Sequence, residues 1–511
     1  VGAEFDEPRG VTETIFAPRY RVTTLGILIL MTIIAFEALA VATALPTAAR
    51  SLHGLAAYGW AFTGFLVTSV VGMVVSGMYS DQHGARRPLL VGLVLFIAGL
   101  LIGTVAGDMW VLVAARFVQG LAVGLLITAM YVVMGEVYAD AVRPRMFAAL
   151  AGAWVIPGLV GPVLAGWITE QLSWRWVFGG LAPFVALGGV LMLPSLRQLR
   201  SSAGTGPLDR RRIGYALLAA GGVAAVANLG EHLTLLGVAI AVLGMAALVV
   251  GLRRLLPVGT SRFATGVPAA IAFRGVLAGI FVGMEVIVPL TLSVQLHYSP
   301  TMAGTPLMLS ALSWASASTI QGRLRQPNRA ALVALGLVLM AVAGAGMALV
   351  ALRILPGAFA FVVWPFAGFG AGFAITSVSV VMLECTTDAN RGSDSAALQL
   401  ADSSVSAISA AFAGALIALA VNGRIGYGTG FAVVYLSMAA LGVLAVSRAS
   451  RLRVAAAGPR GASGPLEAPA GPLEGTLEPA AVSRQSPAHP AGGDRPVPRS
   501  VECGWPGSVS S

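Results

Sequence analysis

The sequence predicts an all-α polytopic membrane protein of about fourteen helices, and three observations carry that expectation. Of its 511 residues, 57% are hydrophobic and only 11% are charged, whereas a soluble domain carries roughly a quarter charged residues. Apolar stretches recur at about 20 residues, the length that crosses a hydrocarbon layer roughly 30 Å thick. Arginines gather in alternate connections, as the sidedness of membrane loops requires.

The first half yields spans at about 22–45, 58–79, 88–107, 110–135, 146–168 and 177–195. A polar stretch from Arg197 to Arg212 follows, interrupted by Gly204, Gly206 and Pro207, and reads as a central loop. Two spans at about 213–230 and 233–252 turn around Glu231 and His232. After a second basic connector come six more, at about 270–296, 302–321, 329–352, 356–383, 396–421 and 428–447. The expected organisation is an N-terminal cytoplasmic segment 1–21, a six-helix unit 22–195, the central cytoplasmic loop 196–212 and an accessory pair 213–252. A cytoplasmic connector 253–269, a second six-helix unit 270–447 and a cytoplasmic tail 448–511 complete it. From residue 454 onward the tail is rich in Pro, Gly, Ala and Ser, with an echo at Gly464-Pro-Leu-Glu and Gly471-Pro-Leu-Glu. Such a composition buries too little apolar surface to offset its ordering entropy, so disorder is expected there.

Charge sidedness tests the helix count, because one missed helix reverses everything after it. With the N-terminus inside, inner connections collect Arg86 and Arg87, Arg143 and Arg145, the central arginines, Arg253, Arg254 and Arg262, Arg323, Arg325 and Arg329, then Arg448, Arg451 and Arg453. The outer connections hold Arg50, Arg175, Arg353 and Arg424. Both halves agree, which requires an even number of helices between them. Residues 1–21 mix Glu4, Asp6, Glu7, Arg9 and Arg19 and do not read as a cleavable leader.

Composition also excludes functions. The net charge of +10 sits in membrane-flanking loops, so it does not point to nucleic acid. The chain has no lysine, hence no Walker A lysine to reach nucleotide phosphates. That absence, with the Ala, Gly and Arg bias, points to a GC-rich bacterial coding sequence. Cys385 and Cys503 are too few for a disulfide framework, and His53, His83, His232, His297 and His489 have no ligand spacing. No metal and no cofactor is expected.

Four motifs remain. Gly77-Met-Tyr-Ser-Asp81-Gln-His-Gly84-Ala-Arg86-Arg87-Pro88 joins the second and third spans; its glycines permit a tight inner turn, and Asp81 can pair with Arg86 or meet a helix terminus. The fourth span carries Arg116-Phe-Val-Gln119-Gly120, and an arginine inside an apolar helix needs a partner or a wet cavity unless it snorkels. In the fifth span, Pro157-Gly158-Leu-Val-Gly161-Pro162-Val-Leu-Ala165-Gly166 puts small residues on one face for close helix approach. Acids inside spans are functional candidates by default: Glu37 in the first, Glu285 in the ninth, and Asp402 nearer the inner face. Glu37 has Arg116 as its expected partner, so loading a proton would break the pair.

The Gly77–Pro88 segment resembles the signature of the major facilitator superfamily, although Gln82 and Ala85 stand where that family often has arginine. The Arg116 segment resembles its proton-coupling motif, and the Gly158–Gly166 segment its antiporter motif. Trp174-Arg175-Trp176 and the acid at Glu37 are similar to those of fourteen-helix drug:proton antiporters. What the resemblance implies is a major facilitator fold: two six-helix bundles around a cavity, plus two accessory helices. It implies a monomeric proton-coupled antiporter of the bacterial plasma membrane, both termini cytoplasmic, exporting lipophilic or cationic drugs; its partners are the small-molecule substrate, protons and the lipid bilayer. Glu37, Glu285 and Asp402 become proton or cation sites, Arg116 the tuning partner of Glu37, and Asp81 with Arg86 and Arg87 the inner gate. Trp314 and Trp364 would help line the cavity. Export of an endogenous metabolite, peptide, siderophore or lipid precursor stays open, as do a membrane-bound transferase and a non-transporting receptor.

Overall fold

The computed structural model describes residues 14–139, 142–198, 210–227, 234–324, 328–386 and 391–452. The expected turn at Glu231 and His232, most of the central loop and the tail with Cys503 lie outside the described residues. What is described is helical. The first six long helices are α1 (Arg21–Ser51), α2 (Tyr58–His83), α3 (Arg86–Val105), α4 (Met109–Val137), α5 (Arg143–Gln171) and α6 (Ala182–Gln198). The next two are α7 (Arg210–Ala227) and α8 (Leu235–Leu255). The last six are α9 (Val267–Glu285), α10 (Pro300–Arg323), α11 (Arg329–Ala351), α12 (Ala360–Cys385), α13 (Arg391–Val421) and α14 (Tyr427–Val446).

Polar caps set several of the starts, since the first backbone N–H groups of a helix need acceptors that lipid cannot supply. Asp108 accepts from the amides of Trp110 at 2.8 Å and Val111 at 3.1 Å, while Thr234, Ser299 and Asn328 open α8, α10 and α11 in the same way. Twelve segments are long and apolar enough to cross a membrane; α7 and α10 are not among them. Three arginines start α7, and Ser, Thr, Gly and Pro dilute α10. Both nevertheless pack as full members of the helical array.

Three local expectations need correction. Asp81 belongs to the last turn of α2, the helix that also holds Gly77, rather than to the connection, and the turn proper is Gly84-Ala85, with Gly84 at φ +80°. Only glycine adopts that backbone without strain. The first span runs on through Pro46 to Ser51, because neighbouring helices compensate for the hydrogen bond a proline removes. The ninth span is broken: α9 stops at Glu285, and the chain resumes as a short helix Val288–Leu290 and a π-helical turn Thr291–Gln295. Pro289 explains the break, since it offers no N–H to the carbonyl of Glu285 and its ring crowds that carbonyl.

An internal repeat is visible in the pairings. In the first six, α1 packs on α5 and α6, α4 on α2 and α3, and α3 on α6. The same pattern recurs as α9 on α13 and α14, α12 on α10 and α11, and α11 on α14. Two seams join the bundles, α5 against α10 and α2 against α13. Backbones nearly touch there: a methyl group on Gly59 would lie 2.2 Å from Gly414 Cα, and one on Gly166 would lie 2.5 Å from Thr301 Cα. The accessory pair α7 and α8 pack on each other, and α7 lies over both α2 and α13 through Val67, Val223, Ala407 and Ala411.

Candidate functional site

Glu37 from α1 and Arg116 from α4 form a buried ion pair, 0% and 2% exposed. The guanidinium makes further contacts. Its Nη1 also donates to Gln119 Oε1 at 2.7 Å, its Nε donates to the Ala61 carbonyl at 3.2 Å, and its centre lies 4.1 Å from the Phe65 ring centroid. Arg116 therefore does not snorkel to an interface. Two atoms of the cluster have no partner, Glu37 Oε2 and Gln119 Nε2. Removing one member of such a pair leaves a buried uncompensated charge, which costs about 3–5 kcal/mol.

Glu285 is treated differently. It is half-buried at the broken end of α9 and makes no hydrogen bond or ion pair among the described residues. One helical turn before it, Phe281 packs between two indoles: Trp314 of α10 edge-on at 5.3 Å and Trp364 of α12 at 5.8 Å. Trp364 is fully buried with its indole N–H unpartnered, so it does not line an open cavity; Trp314 is half-buried. The carboxylate thus ends a stripe whose preceding turn is aromatic.

Asp402 of α13 pairs with Arg274 of α9 at 2.6 Å, each side chain 19% exposed, and Arg274 also reaches Ser379 Oγ at 3.4 Å. Sequence reading missed Arg274. A signal was present: it precedes Glu285 by three helical turns, which puts both on one face of α9. The three candidate acids therefore occupy separate places, with no contact joining Glu37, Glu285 and Asp402 among the described residues.

At the end that arginine sidedness calls outer, three hydrogen bonds between the bundles stand out among the described residues. Arg50 donates to the Ser293 carbonyl at 3.1 Å, Tyr58 to the Val286 carbonyl at 2.8 Å, and the Thr301 amide to Glu170 Oε1 at 2.6 Å. The Gly158–Gly166 segment forms part of this seam. Methyl groups on Gly158 and Gly161 would lie 2.9 Å from Ala311 Cβ and 3.5 Å from the Phe36 ring, and one on Gly304 would lie 2.7 Å from the Pro162 carbonyl oxygen. At the inner end Asp81, Arg86 and Arg87 are exposed; no ion pair joins Asp81 to Arg86 among the described residues, and Arg87 bonds Tyr79 at 2.8 Å. Two small spaces lie under the accessory pair, one lined by Val67, Val223, Leu248 and Ser404, the other by Gly59, Trp60 and Gly414. Neither borders Glu285.

Residues 25–410 match the sequence model of the Major Facilitator Superfamily. A Mycobacterium tuberculosis protein named a probable multidrug-efflux transporter is 25% identical over 430 residues, covering 80% of this chain and 89% of its own. The multidrug transporter protein MdtP of Bacillus subtilis is 28% identical over 184 residues, 36% of this chain; the chain spans about a third of that relative's length, 34%. Among solved structures, a POT family transporter in complex with 5-aminolevulinic acid matches with a TM-score of 0.61 at 13% identity, covering 84% of this chain and 96% of that one. That likeness concerns the fold alone.

Proposed function

Since the chain belongs to the major facilitator superfamily and is a multi-pass membrane transporter, we propose that it is a proton-coupled antiporter exporting lipophilic, cationic organic compounds. The observation that carries this reading is the contrast between two acids in corresponding helices, Glu37 sealed against Arg116 and Glu285 half-buried without a partner. A buried acid already compensated by arginine has nothing to offer a large cation, but a proton small enough to reach it neutralises Glu37 and releases Arg116. An uncompensated carboxylate beside an aromatic cluster has the opposite character: it attracts an organic cation, and neighbouring rings favour the cation's apolar and π surfaces.

In the proposed cycle the bundles rock about the α2–α13 and α5–α10 seams. The conformation described, with its outer ends joined and Asp81, Arg86 and Arg87 exposed, is read as the one that receives cargo from inside. Closure at the inner end would bring the Gly77–Arg87 turn into its gating role. The bacterial plasma membrane, cytoplasmic termini and a monomeric transport unit belong to the same proposal. The mycobacterial relative's name, over most of its length, supports export as the direction.

Purified protein in liposomes tests the reading. A pH gradient should drive uptake of cationic lipophilic dyes into vesicles, and Glu37→Gln and Glu285→Gln should each reduce that flux at least tenfold while leaving the protein monodisperse. No pH-driven flux of any compound across a cationic and lipophilic panel would sink the antiporter reading. Parental flux in both variants would remove the two acids from it.

A further inference from the structure

Tyr58 opens α2 at the outer end of the first bundle, and its ring is fully buried beside Phe62, with centroids 5.4 Å apart. Its hydroxyl crosses the seam to the Val286 carbonyl at 2.8 Å. Val286 is the residue that follows Glu285, and its peptide belongs to the break that Pro289 imposes on α9. The broken segment is also held from its own bundle. Tyr435 of α14 lies 3.2 Å from Thr291 Oγ1, which donates to the Ile287 carbonyl at 2.8 Å. Two buried tyrosines, one from each bundle, thus fix the segment behind the unpaired acid.

The three cross-seam bonds are not equivalent. The Thr301–Glu170 bond is exposed and the Arg50–Ser293 bond partly buried, so water replaces either at small net cost; the Tyr58–Val286 bond is buried. Around it the closed seam is poorly satisfied, because the hydroxyls of Thr43, Thr47 and Ser293 are buried without partners among the described residues. Each unpartnered hydroxyl disfavours closure, and water would meet all three once the seam opened. Closure therefore leans on few polar contacts, and the buried one is attached to the break.

We infer that Tyr58 is a positioning residue of the transport cycle, its hydroxyl latching the closed outer seam to the helix break behind Glu285. Any rearrangement that turns the Val286–Ile287 peptide withdraws the acceptor and frees α2 from the broken segment. The latch is a matter of geometry; that a charge change at Glu285 trips it rests on the function proposed above.

The test uses the full chain in liposomes without cargo, carrying Cys385→Ser, Cys503→Ser and a Thr43→Cys reporter at a position 1% exposed in the closed seam. A membrane-impermeant maleimide reads opening from the outer side. Tyr58→Phe, which keeps the ring and removes one buried hydrogen bond, should raise the labelling rate about fivefold or more. Tyr435→Phe, which loosens the same segment within its own bundle, should stay within about twofold of the parent, short of the shift a cross-seam bond provides. Parental labelling in Tyr58→Phe, or an equal rise in Tyr435→Phe, overturns the latch. If Tyr58→Phe does not fold, 4-fluorophenylalanine at position 58 removes the donor while keeping the ring's width. Dye flux in Glu285→Gln is measured alongside. If that flux matches the parent while Tyr58→Phe opens the seam, the cargo role of Glu285 fails and the latch stands.

Discussion

Each six-helix bundle carries an acid in its first helix, and the two bundles treat it in opposite ways. In the first bundle α4 brings Arg116 against Glu37, and Gln119, Ala61 and Phe65 close around the guanidinium until the pair is sealed. In the second bundle the corresponding helix α12 brings Trp364, an indole with no charge to offer, against the same face that holds Phe281. The second acid is also at a broken helix end, because Pro289 stops α9 where α1 runs on through Pro46. One repeat thus yields a compensated, water-free carboxylate and the other an uncompensated, reachable one. A fold built by duplication can divide labour between its copies in this way without changing its helix packing.

The largest expected effect breaks the sealed side. Arg116→Ala leaves Glu37 buried with no counter-charge and should destabilise the protein by about 3–5 kcal/mol, read as a lower unfolding midpoint in detergent. Adding Glu37→Gln to that variant should recover much of the loss, since the remaining amide carries no charge. An Arg116→Ala protein as stable as the parent would mean that the pair is not held as described, and the contrast between the bundles would disappear.

Phe281 sharpens the open side. Its ring is 7% exposed and bridges Trp314 and Trp364. Phe281→Ala should cost roughly 3 kcal/mol as a core truncation, and Phe281→Leu, which retains most of the volume, under about 1.5 kcal/mol. If the aromatic cluster recognises cargo, Phe281→Leu should still raise the KM for a cationic dye several-fold while its unfolding midpoint stays near that of the parent. An unchanged KM confines Phe281 to packing.

The fold was legible because lipid imposes one rule everywhere: spans must be apolar, and their arginine-bearing ends must alternate. Even α7 and α10, which fall short by composition alone, are demanded by the sidedness of the arginines on either side. Within the site, Glu37 and Arg116 could be paired on paper because each is a lone charge in an apolar helix of the same bundle. Arg274 could be placed on the face of α9 that carries Glu285, but that face pointed to Glu285 rather than to its actual partner, Asp402. Tyr58 could not be found at all, because its partner is a backbone carbonyl 228 residues away, which leaves no mark on residue type. The break at Glu285 was spelled by Pro289, yet the unbroken hydrophobicity of residues 270–296 concealed it. Hydropathy reports burial in lipid and is blind to whether the helix is continuous.

The smallest effect concerns Asp402, and it separates two kinds of intramembrane pair. Arg274 and Asp402 are joined at 2.6 Å as tightly as a charge-assisted hydrogen bond allows, but each is 19% exposed, whereas the Glu37–Arg116 pair is nearly dry. Partial access to water lets Arg274 recover solvation when its partner is neutralised, so Asp402→Asn should cost only about 1 kcal/mol, well below the loss in Arg116→Ala. The amide also keeps an acceptor oxygen for Arg274, and Ser379 remains within reach at 3.4 Å. Dye flux gives the second reading: if Asp402 only holds α13 to α9, the variant should transport at close to the parental rate, and if it is a cation site on the way to Glu285, flux should fall without a matching fall in stability. A loss of stability as large as that of Arg116→Ala would show that the pair is sealed in the membrane, and would place a dry ion pair in both bundles.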